Sequence, residues 1–144
     1  MNSGSTVTAE LGFRLVLPQR TFVPLMASLY YTASDPYAIR IAFHVGLSEP
    51  VEWTFARELL ARGTEEPAGM SDVKIWPSAE SKSGIPGRIL NMELSSPSGL
   101  ARFEVAAQGL AEFLRRTYQV VPEGDEAAYL DVETGLNDLL DDAS

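Results

Sequence analysis

The stretch from Asp35 to Pro77 decides the fold, and its sequence is DPYAIRIAFHVGLSEPVEWTFARELLARGTEEPAGMSDVKIWP. Apolar residues alternate with other residues in three short runs, which begin at Ile39, Val51 and Val73. A period of two is typical of β-strands that bury one face. Between the second and third runs lies ARELLAR, which consists of good helix formers and is followed by Gly63, a residue suited to a helix C-terminus. The stretch therefore predicts two strands, a short helix and a third strand.

Alternating runs predict further strands on both sides of this stretch. The first covers Leu11 to Leu17, and the second covers residues 22–32. Pro24 favours an edge position for the second strand or a late start near Leu25, because proline has no amide proton to donate to a neighbouring strand. Residues 90–94 and 101–105 also alternate, and the Ser-Pro-Ser-Gly sequence between them predicts a β-hairpin.

The C-terminal third changes to a helical period. Apolar positions at i, i+3, i+4 and i+7 predict a helix over residues 107–119. Its apolar stripe comprises Leu110, Phe113, Leu114 and Thr117. A second stripe comprises Val132, Leu136, Leu139 and Leu140. It lies in an acidic segment, so we expect the second helix to hold only where it packs against the body or a neighbouring subunit.

Together these patterns predict an α+β fold of one domain, residues 1–144. It has about seven antiparallel strands in two hairpin-rich sheets, a short mid-chain helix and two C-terminal helices. Residues 1–7 are expected to be disordered, and residues 122–144 to form an acidic helical tail. Residues 78–87 are rich in serine and glycine and are predicted to be a mobile loop.

Composition limits the classes of function that this chain can perform. It has no cysteine and one histidine, so it can build neither a disulfide, nor a thiolate metal site, nor a histidine cluster for catalytic zinc. No apolar run approaches the ~18 residues of a membrane span, and the start lacks the pattern of a signal peptide. His44 has no nucleophile motif as a companion. We predict a cytoplasmic protein that is not an enzyme, with no catalytic residue, metal, cofactor or transmembrane anchor.

Three side chains are candidates for contact with a partner. Arg57 and Arg62 flank the short helix, either as surface charges paired with Glu58 and its neighbours or as partner-binding residues. Trp76 lies opposite the apolar face of its strand, either as an interface anchor or as a lid over the short helix. Trp53 shares a face with apolar neighbours, so core packing is favoured for it.

A second hypothesis assigns the aromatic residues to single-stranded nucleic acid. Tyr30, Tyr31 and Tyr37, together with Arg40, could stack on unpaired bases. Charge argues against this, because residues 122–144 hold eight acids and no Lys or Arg, and the rest of the chain holds 12 acids and 11 bases. Binding without sequence preference needs a clustered basic surface that displaces counterions from phosphates. Nucleic acid is therefore the less favoured partner.

Several motifs resemble the SsgA-like proteins, small cell-division regulators of sporulating actinomycetes, and among them most closely the SsgB type. The motifs are ELGFRLVL (10–17), DPYAI (35–39), FH (43–44), VEWTFARELL (51–60), SDVKIWPS (71–78), LSSPSG (94–99) and FLRRT (113–117). The resemblance implies a fold like that of the trimeric whirly-type binders of single-stranded nucleic acid, and a homotrimer. It also implies a regulator of sporulation-specific division that recruits or stabilises the tubulin-like protein FtsZ at septum sites. FtsZ and an SsgA-type localising protein are the implied partners.

Overall fold

A computed structural model describes residues 5–46 and 49–130. In these residues one sheet has the strand order β4-β3-β2-β1-β8-β7-β6-β5, and every neighbouring pair is antiparallel. The strands are β1 (Thr6–Leu17), β2 (Thr21–Thr32), β3 (Ala38–His44), β4 (Val51–Ala56), β5 (Ala68–Met70), β6 (Val73–Ser78), β7 (Ile89–Ser96) and β8 (Gly99–Ala106). The helices are α1 (Arg57–Gly63), between β4 and β5, and α2 (Ala107–Val120), after β8.

The stretch that opened the sequence analysis folds as predicted. Ile39, Ile41 and Phe43 of β3 are buried, while Arg40 and His44 are exposed on the other face. The apolar side chains enter the core because burying each contributes about 1.5–3 kcal/mol. The predicted strand, strand, short helix and strand correspond to β3, β4, α1 and β6.

The sheet curls into a half-barrel. Phe43 in β3 and Phe103 in β8 are three strands apart in the sheet, yet their rings stack with centroids 4.4 Å apart. A flat sheet would separate them by roughly 14 Å, at about 4.8 Å per strand. Phe13 of β1 packs edge-on against both rings. These three rings therefore fix the curvature, and the concave face holds the core.

Helix α1 spans the gap between the two edge strands, since it contacts β4 on one side and β5 and β6 on the other. Gly63, its last residue, packs directly on β6, where a Cβ would overlap the side chain of Ile75. The sequence predicted glycine here as a helix terminator, and the structure adds close approach between backbone and strand. Any larger residue at this position would push α1 off the sheet.

Helix α2 covers the concave face near β1, β7 and β8. Its predicted stripe is confirmed, because Leu110, Phe113, Leu114 and Thr117 are all buried. The predicted hairpin is also confirmed as β7 and β8. Both are local patterns, in which residues close in sequence determine the element.

The predicted number of strands differs slightly from the structure, and the predicted number of sheets is wrong. The described strands number eight rather than about seven, because the three residues of β5 pair with β6 but are too few to show alternation. They form one sheet rather than two, because β1 and β8 pair through the contacts Phe13–Val105, Arg14–Glu104 and Leu15–Phe103. We call these three residue pairs the seam. No local signal predicts pairing between strands so far apart in the chain.

The N-terminal prediction is wrong for Thr6 and Val7, which belong to β1. Val7 pairs with Tyr31 and is 4% exposed, so its burial holds the chain in the sheet. Both alternatives for Pro24 are wrong, because β2 already begins at Thr21 and is an interior strand, although β3 pairs with it only over residues 26–30. Proline therefore still has no partner strand on that side. The predicted stripe on the second C-terminal helix lies outside the described residues.

The segment predicted as a mobile loop is anchored by a buried carboxylate. Glu104, which is 1% exposed, accepts hydrogen bonds from the hydroxyls of Ser81 and Ser83, at 2.6 Å each. Its oxygens also accept the backbone amides of Lys82 (2.8 Å) and Ser83 (3.0 Å). The Arg14 guanidinium donates to the Ser83 carbonyl. Residues 81–83 are therefore held by hydrogen bonds, and the reason for expecting a mobile loop does not apply to them.

Candidate partner-binding site

Arg57, the first residue of α1, is one of the most deeply buried side chains of the described protein, at 1% exposure. Its Nη1 donates to the carbonyls of Thr117 (3.2 Å) and Val121 (2.8 Å), at the C-terminal end of α2. Its Nη2 donates to Oε2 of Glu126 at 2.8 Å. Free carbonyls at a helix C-terminus carry partial negative charge, so the cation is well placed there. The guanidinium therefore joins α1 to α2 and to the segment that follows it.

Two tyrosine rings flank the same guanidinium. The central carbon of the guanidinium, Cζ, lies 4.8 Å from the ring centroid of Tyr31 and 4.1 Å from that of Tyr118. Burial raises the pKa of Tyr31 to about 12, although the nearby Arg57 opposes the shift. The Tyr31 hydroxyl donates to the Pro36 carbonyl at 2.9 Å, so this buried polar group has a hydrogen-bond partner. We call Arg57, Tyr31, Thr117, Tyr118, Val121 and Glu126 the Arg57 cluster.

Among the described residues, Glu126 is the only carboxylate that forms an ion pair with Arg57. Partial burial raises its pKa, but hydrogen bonds from Arg57 and from backbone amides, including that of Gly124, outweigh burial and lower the pKa overall. The prediction that Arg57 is a surface charge is wrong, because the guanidinium finds acceptors inside the protein. Because its side chain is buried, Arg57 cannot contact a partner directly in this conformation.

Arg62 lies on the outer side of α1, where it lines a groove of about 650 Å³ between α1 and α2. We call this the interhelical groove. Its charged lining residues are Glu58, Arg62, Glu65, Arg115, Glu123 and Glu126. Arg62 is exposed, and Arg115 pairs with Glu112 one turn earlier on α2. Tyr118 and Glu126 belong to both the groove and the Arg57 cluster, so the cluster sets the spacing of the groove's walls.

Trp76 does not share a surface with Arg62, because it points from the face of β6 that is turned away from α1. Its neighbour Ile75 faces α1 at Gly63, and alternation turns Trp76 the other way. The alternative of a lid over the short helix is therefore wrong. Trp76 is half-buried, and the Arg102 guanidinium lies 5.4 Å from its ring centroid. A role as an interface anchor on the convex face stays a prediction.

The three tyrosines of the nucleic-acid hypothesis do not form one platform. Tyr30 is half-buried on the convex face, with the Arg40 guanidinium 4.7 Å from its ring centroid. Tyr31 points into the core and is 1% exposed. Tyr37 is 49% exposed in the turn before β3. Successive strand residues point to opposite faces, so Tyr30 and Tyr31 cannot both meet the same strand of bases.

His44 takes part in a chain of hydrogen bonds across three strands. Its Nε2 lies 2.8 Å from Oγ of Ser28, which donates to Oε2 of Glu10 at 2.6 Å. Ser28 is 3% exposed, so its hydroxyl is closed to a substrate. The arrangement connects β1, β2 and β3, in line with the structural or surface role favoured from sequence.

Sequence reasoning missed the burial of Arg57 and the parts played by Tyr118 and Glu126. One signal was available, because Arg57 precedes the buried Leu60 by three residues and therefore shares its helix face. Glu126 gave no such signal. It lies far from Arg57 in the chain, and in the sequence it is one of eight acidic residues between positions 122 and 144.

Within residues 5–46 and 49–130, no helix is long and apolar enough to cross a membrane. A family profile described as "Streptomyces sporulation and cell division protein, SsgA" matches residues 25–126. The chain belongs to the SsgA family. The predicted resemblance is confirmed, and so is the antiparallel α+β fold class, since solved SsgA-like structures superpose on this one.

Relatives of the SsgA family align over nearly the whole chain. The sporulation-specific cell division protein SsgB of Thermobifida fusca is 50% identical over 139 residues, which cover 96% of this chain and 98% of the relative. SsgB of Streptomyces coelicolor is 42% identical over 136 residues, with 94% and 96% covered. The crystal structure of an SsgA-like sporulation-specific cell division protein from Thermobifida fusca has a TM-score of 0.87 at 49% identity, with 96% and 98% covered.

Proposed function

We propose that this protein is a non-enzymatic regulator of sporulation-specific cell division, which recruits or stabilises FtsZ at septum sites. Membership of a family of sporulation and cell division proteins supports the division role. The interhelical groove carries the proposal of a contact surface, because it presents exposed charges from two helices on a rigid support. An exposed arginine beside apolar and aromatic groups is a common feature of protein interfaces.

The groove's rigidity follows from the Arg57 cluster. The buried guanidinium holds the N-terminus of α1 against the C-terminus of α2, so the groove's two walls cannot shift independently. We propose that Arg62 contacts the partner directly and that Arg57 acts through this positioning. Trp76, on the convex face, belongs to a second contact surface in this proposal.

The assembly follows from the same family relationship. We propose a cytoplasmic homotrimer located at the division septum, with FtsZ and an SsgA-type localising protein as partners. The protein uses no cofactor in this role. Regulators of this kind act by binding, so the measurable quantity is affinity rather than turnover.

The test is co-sedimentation of the purified protein with polymerising FtsZ. Arg62→Glu reverses an exposed charge in the groove, and we expect affinity to fall about tenfold, which corresponds to ~1.4 kcal/mol. Arg40→Glu is the matched control, because Arg40 is an exposed arginine on the convex face with a weak 4.0 Å ion pair to Glu52. We expect the control to bind like the unmodified protein.

The outcomes separate the parts of the proposal. If the unmodified protein stays in the supernatant while FtsZ polymers pellet, direct recruitment of FtsZ is wrong. If both variants pellet like the unmodified protein, the groove is not the contact surface. If Arg40→Glu weakens binding and Arg62→Glu does not, the contact lies on the convex face.

A further inference from the structure

The end of the β1–β2 hairpin separates from the neighbouring strands. β1 pairs with β8 only at residues 13–15, and β2 pairs with β3 only at residues 26–30. Among the described strands, residues 16–25 therefore pair only with each other, and we call them the arm. An isolated two-stranded ribbon is marginally stable in water, so the arm gains stability from whatever covers it.

The arm exposes apolar side chains on both of its faces. Successive residues of a strand point to opposite faces, so Leu17 and Val23 share the concave side with the buried Phe13. Phe22 points to the convex side, where the Arg14 guanidinium lies 4.5 Å from its ring centroid. The exposed fractions are 37% for Leu17, 42% for Val23 and 37% for Phe22. A protein docked on one face would leave the other face in water, whereas a lipid surface entered by the tip covers both.

The turn at the end of the arm carries residues that its backbone does not favour. Gln19 and Arg20 have φ values of 63° and 60°, and the Thr21 amide donates to the Pro18 carbonyl at 3.4 Å. Positive φ at both central positions is the pattern of a type I′ turn, for which Asn-Gly is strongly preferred. Longer side chains are strained in this region, and such strain clusters at functional sites. The side chains of the turn are therefore candidates for contact with a ligand.

Cations outnumber acids around the arm, although the chain as a whole is acidic. Residues 11–34 contain two arginines and no Asp or Glu. Three clefts border the arm, and their linings add Lys82, Arg102 and a single acid, Glu80. Arg102 already has an ion-pair partner, whereas Arg20 and Lys82 line one cleft and form no ion pair with any described residue. These two cations are therefore available to anionic headgroups.

The acidic residues that follow α2 lie at the other end of β2. Glu126 bonds to Arg57, whose guanidinium packs on Tyr31. Tyr31 is eight residues from Val23 along the strand, or about 26 Å. Charges in solution are largely screened beyond ~8 Å at physiological ionic strength. The arm can therefore approach a negatively charged surface while Glu126 and the two acids before it stay outside the range of strong repulsion.

We propose that the arm is a membrane-docking hairpin, whose tip enters the interfacial region of an anionic phospholipid bilayer. Leu17, Phe22 and Val23 are buried there from both faces of the ribbon, and Arg20 and Lys82 bind lipid phosphates. Insertion stays shallow, because the open edges of the ribbon need water or headgroups as hydrogen-bond partners. The contact does not depend on FtsZ, so its failure leaves the proposed function intact.

The first test asks whether both faces of the arm enter the bilayer. Phe22→Cys and Val23→Cys are each labelled with a polarity-sensitive dye in the full-length protein, which has no cysteine of its own. Vesicles contain phosphatidylglycerol and phosphatidylcholine in equal parts. We expect the emission of both labels to move to shorter wavelength when vesicles are added. Labelled Tyr37→Cys is the matched control, because Tyr37 is 49% exposed but lies in the turn before β3, and its emission should not move.

The second test measures affinity by co-sedimentation of unlabelled protein with the same vesicles. Each basic residue near an anionic surface contributes about fivefold in affinity, so Arg20→Glu should weaken binding at least fivefold. Arg40→Glu, which changes an exposed arginine outside the arm, should bind like the unmodified protein. The double variant Gln19→Asn/Arg20→Gly removes the same cation and relieves the strained turn. We expect it to bind more weakly and to unfold at a higher temperature, which separates lost contact from lost folding.

Four results would overturn the proposal. The unmodified protein could fail to sediment with the anionic vesicles, or it could bind vesicles of phosphatidylcholine alone equally well. The emission could move for only one of the Phe22→Cys and Val23→Cys labels, as expected for a surface covered by a protein. Gln19→Asn/Arg20→Gly could keep full affinity, which would show that Arg20 does not contact lipid.

Discussion

At the scale of single residues, a buried guanidinium is stable only when its donors find acceptors and its charge finds compensation. Arg57 obtains both from five residues. Four of them lie 60 or more positions later in the chain, and the fifth is Tyr31 of β2. Helical spacing alone could have predicted that Arg57 faces inward. The identity of its acceptors could not be predicted, because two of them are backbone carbonyls exposed only by the end of α2.

Removal of Arg57 is expected to destabilise the protein. Arg57→Ala leaves the Glu126 carboxylate without its cation and takes a donor from the buried carbonyls of Thr117 and Val121, of which Thr117 keeps the amide of Val121, so we expect the free energy of unfolding to fall by about 3–5 kcal/mol. Glu126→Gln keeps an oxygen that accepts from Arg57 and should cost less. Urea denaturation measures both changes.

The matched control for this prediction is Arg40→Ala. Arg40 also makes an ion pair and lies over a tyrosine ring, but its side chain is 53% exposed. Solvent screens such a pair, so we expect a loss of about 0–1 kcal/mol. Equal losses for Arg57→Ala and Arg40→Ala would contradict the structural importance of the cluster.

At the scale of elements, prediction succeeded where the signal is local. The stripe of α2 and the β7–β8 hairpin follow from residues within one turn or one tight loop of each other. Prediction failed for the segment at residues 78–87, because its serines suggest solvation unless Glu104 is known to lie beneath them. That glutamate stands on the polar face of its strand, as alternation requires, and the segment covers it.

Acid should release this segment. Burial raises the pKa of Glu104, but hydrogen bonds from Ser81, Ser83 and the amide of Lys82 outweigh it and lower the pKa overall. A carboxyl whose folded pKa is lowered stabilises the protein fully above the ordinary glutamate range, near 4.3, and loses this effect as the pH falls through its folded pKa. The amide resonances of Lys82 and Ser83 should therefore shift in an NMR titration only below that range.

Glu104→Gln should produce a similar release at neutral pH, since a neutral amide accepts these hydrogen bonds less strongly. Glu80→Gln is the control, because Glu80 belongs to the same segment but is exposed. Amide resonances of Lys82 and Ser83 that move equally in both variants would show that Glu104 does not anchor the segment.

At the scale of the whole molecule, charge and the placement of the aromatic rings disfavour nucleic acid. Tyr31 is buried and Tyr30 points away from it, so Tyr30, Tyr31 and Tyr37 do not share one surface that could meet successive bases. We expect a labelled single-stranded oligonucleotide to show no binding tighter than micromolar at physiological salt, as measured by fluorescence anisotropy. Binding that is tighter, and that weakens by about 1–3 kcal/mol in Tyr37→Ala, would reverse this expectation.

The fold class was accessible from sequence, but the unity of the sheet was not. Alternating runs and turn residues predicted antiparallel hairpins, which the structure confirms in β1–β2 and β7–β8. The seam between β1 and β8 depends on the curl that Phe13, Phe43 and Phe103 impose. Each phenylalanine is an ordinary inward residue of its own strand, so only the folded chain shows that the three meet.

The seam has a consequence for how the chain folds. Among the described strands, six of the seven pairings join strands that are consecutive in sequence, and only β1 and β8 are distant. Consecutive hairpins close short loops, whereas joining β1 to β8 closes most of the chain into one loop. The entropy cost of loop closure grows slowly with length, but long-range pairing is slow to form. The chain therefore meets its one large topological barrier at three residue pairs, and the rest of the sheet can assemble by local steps.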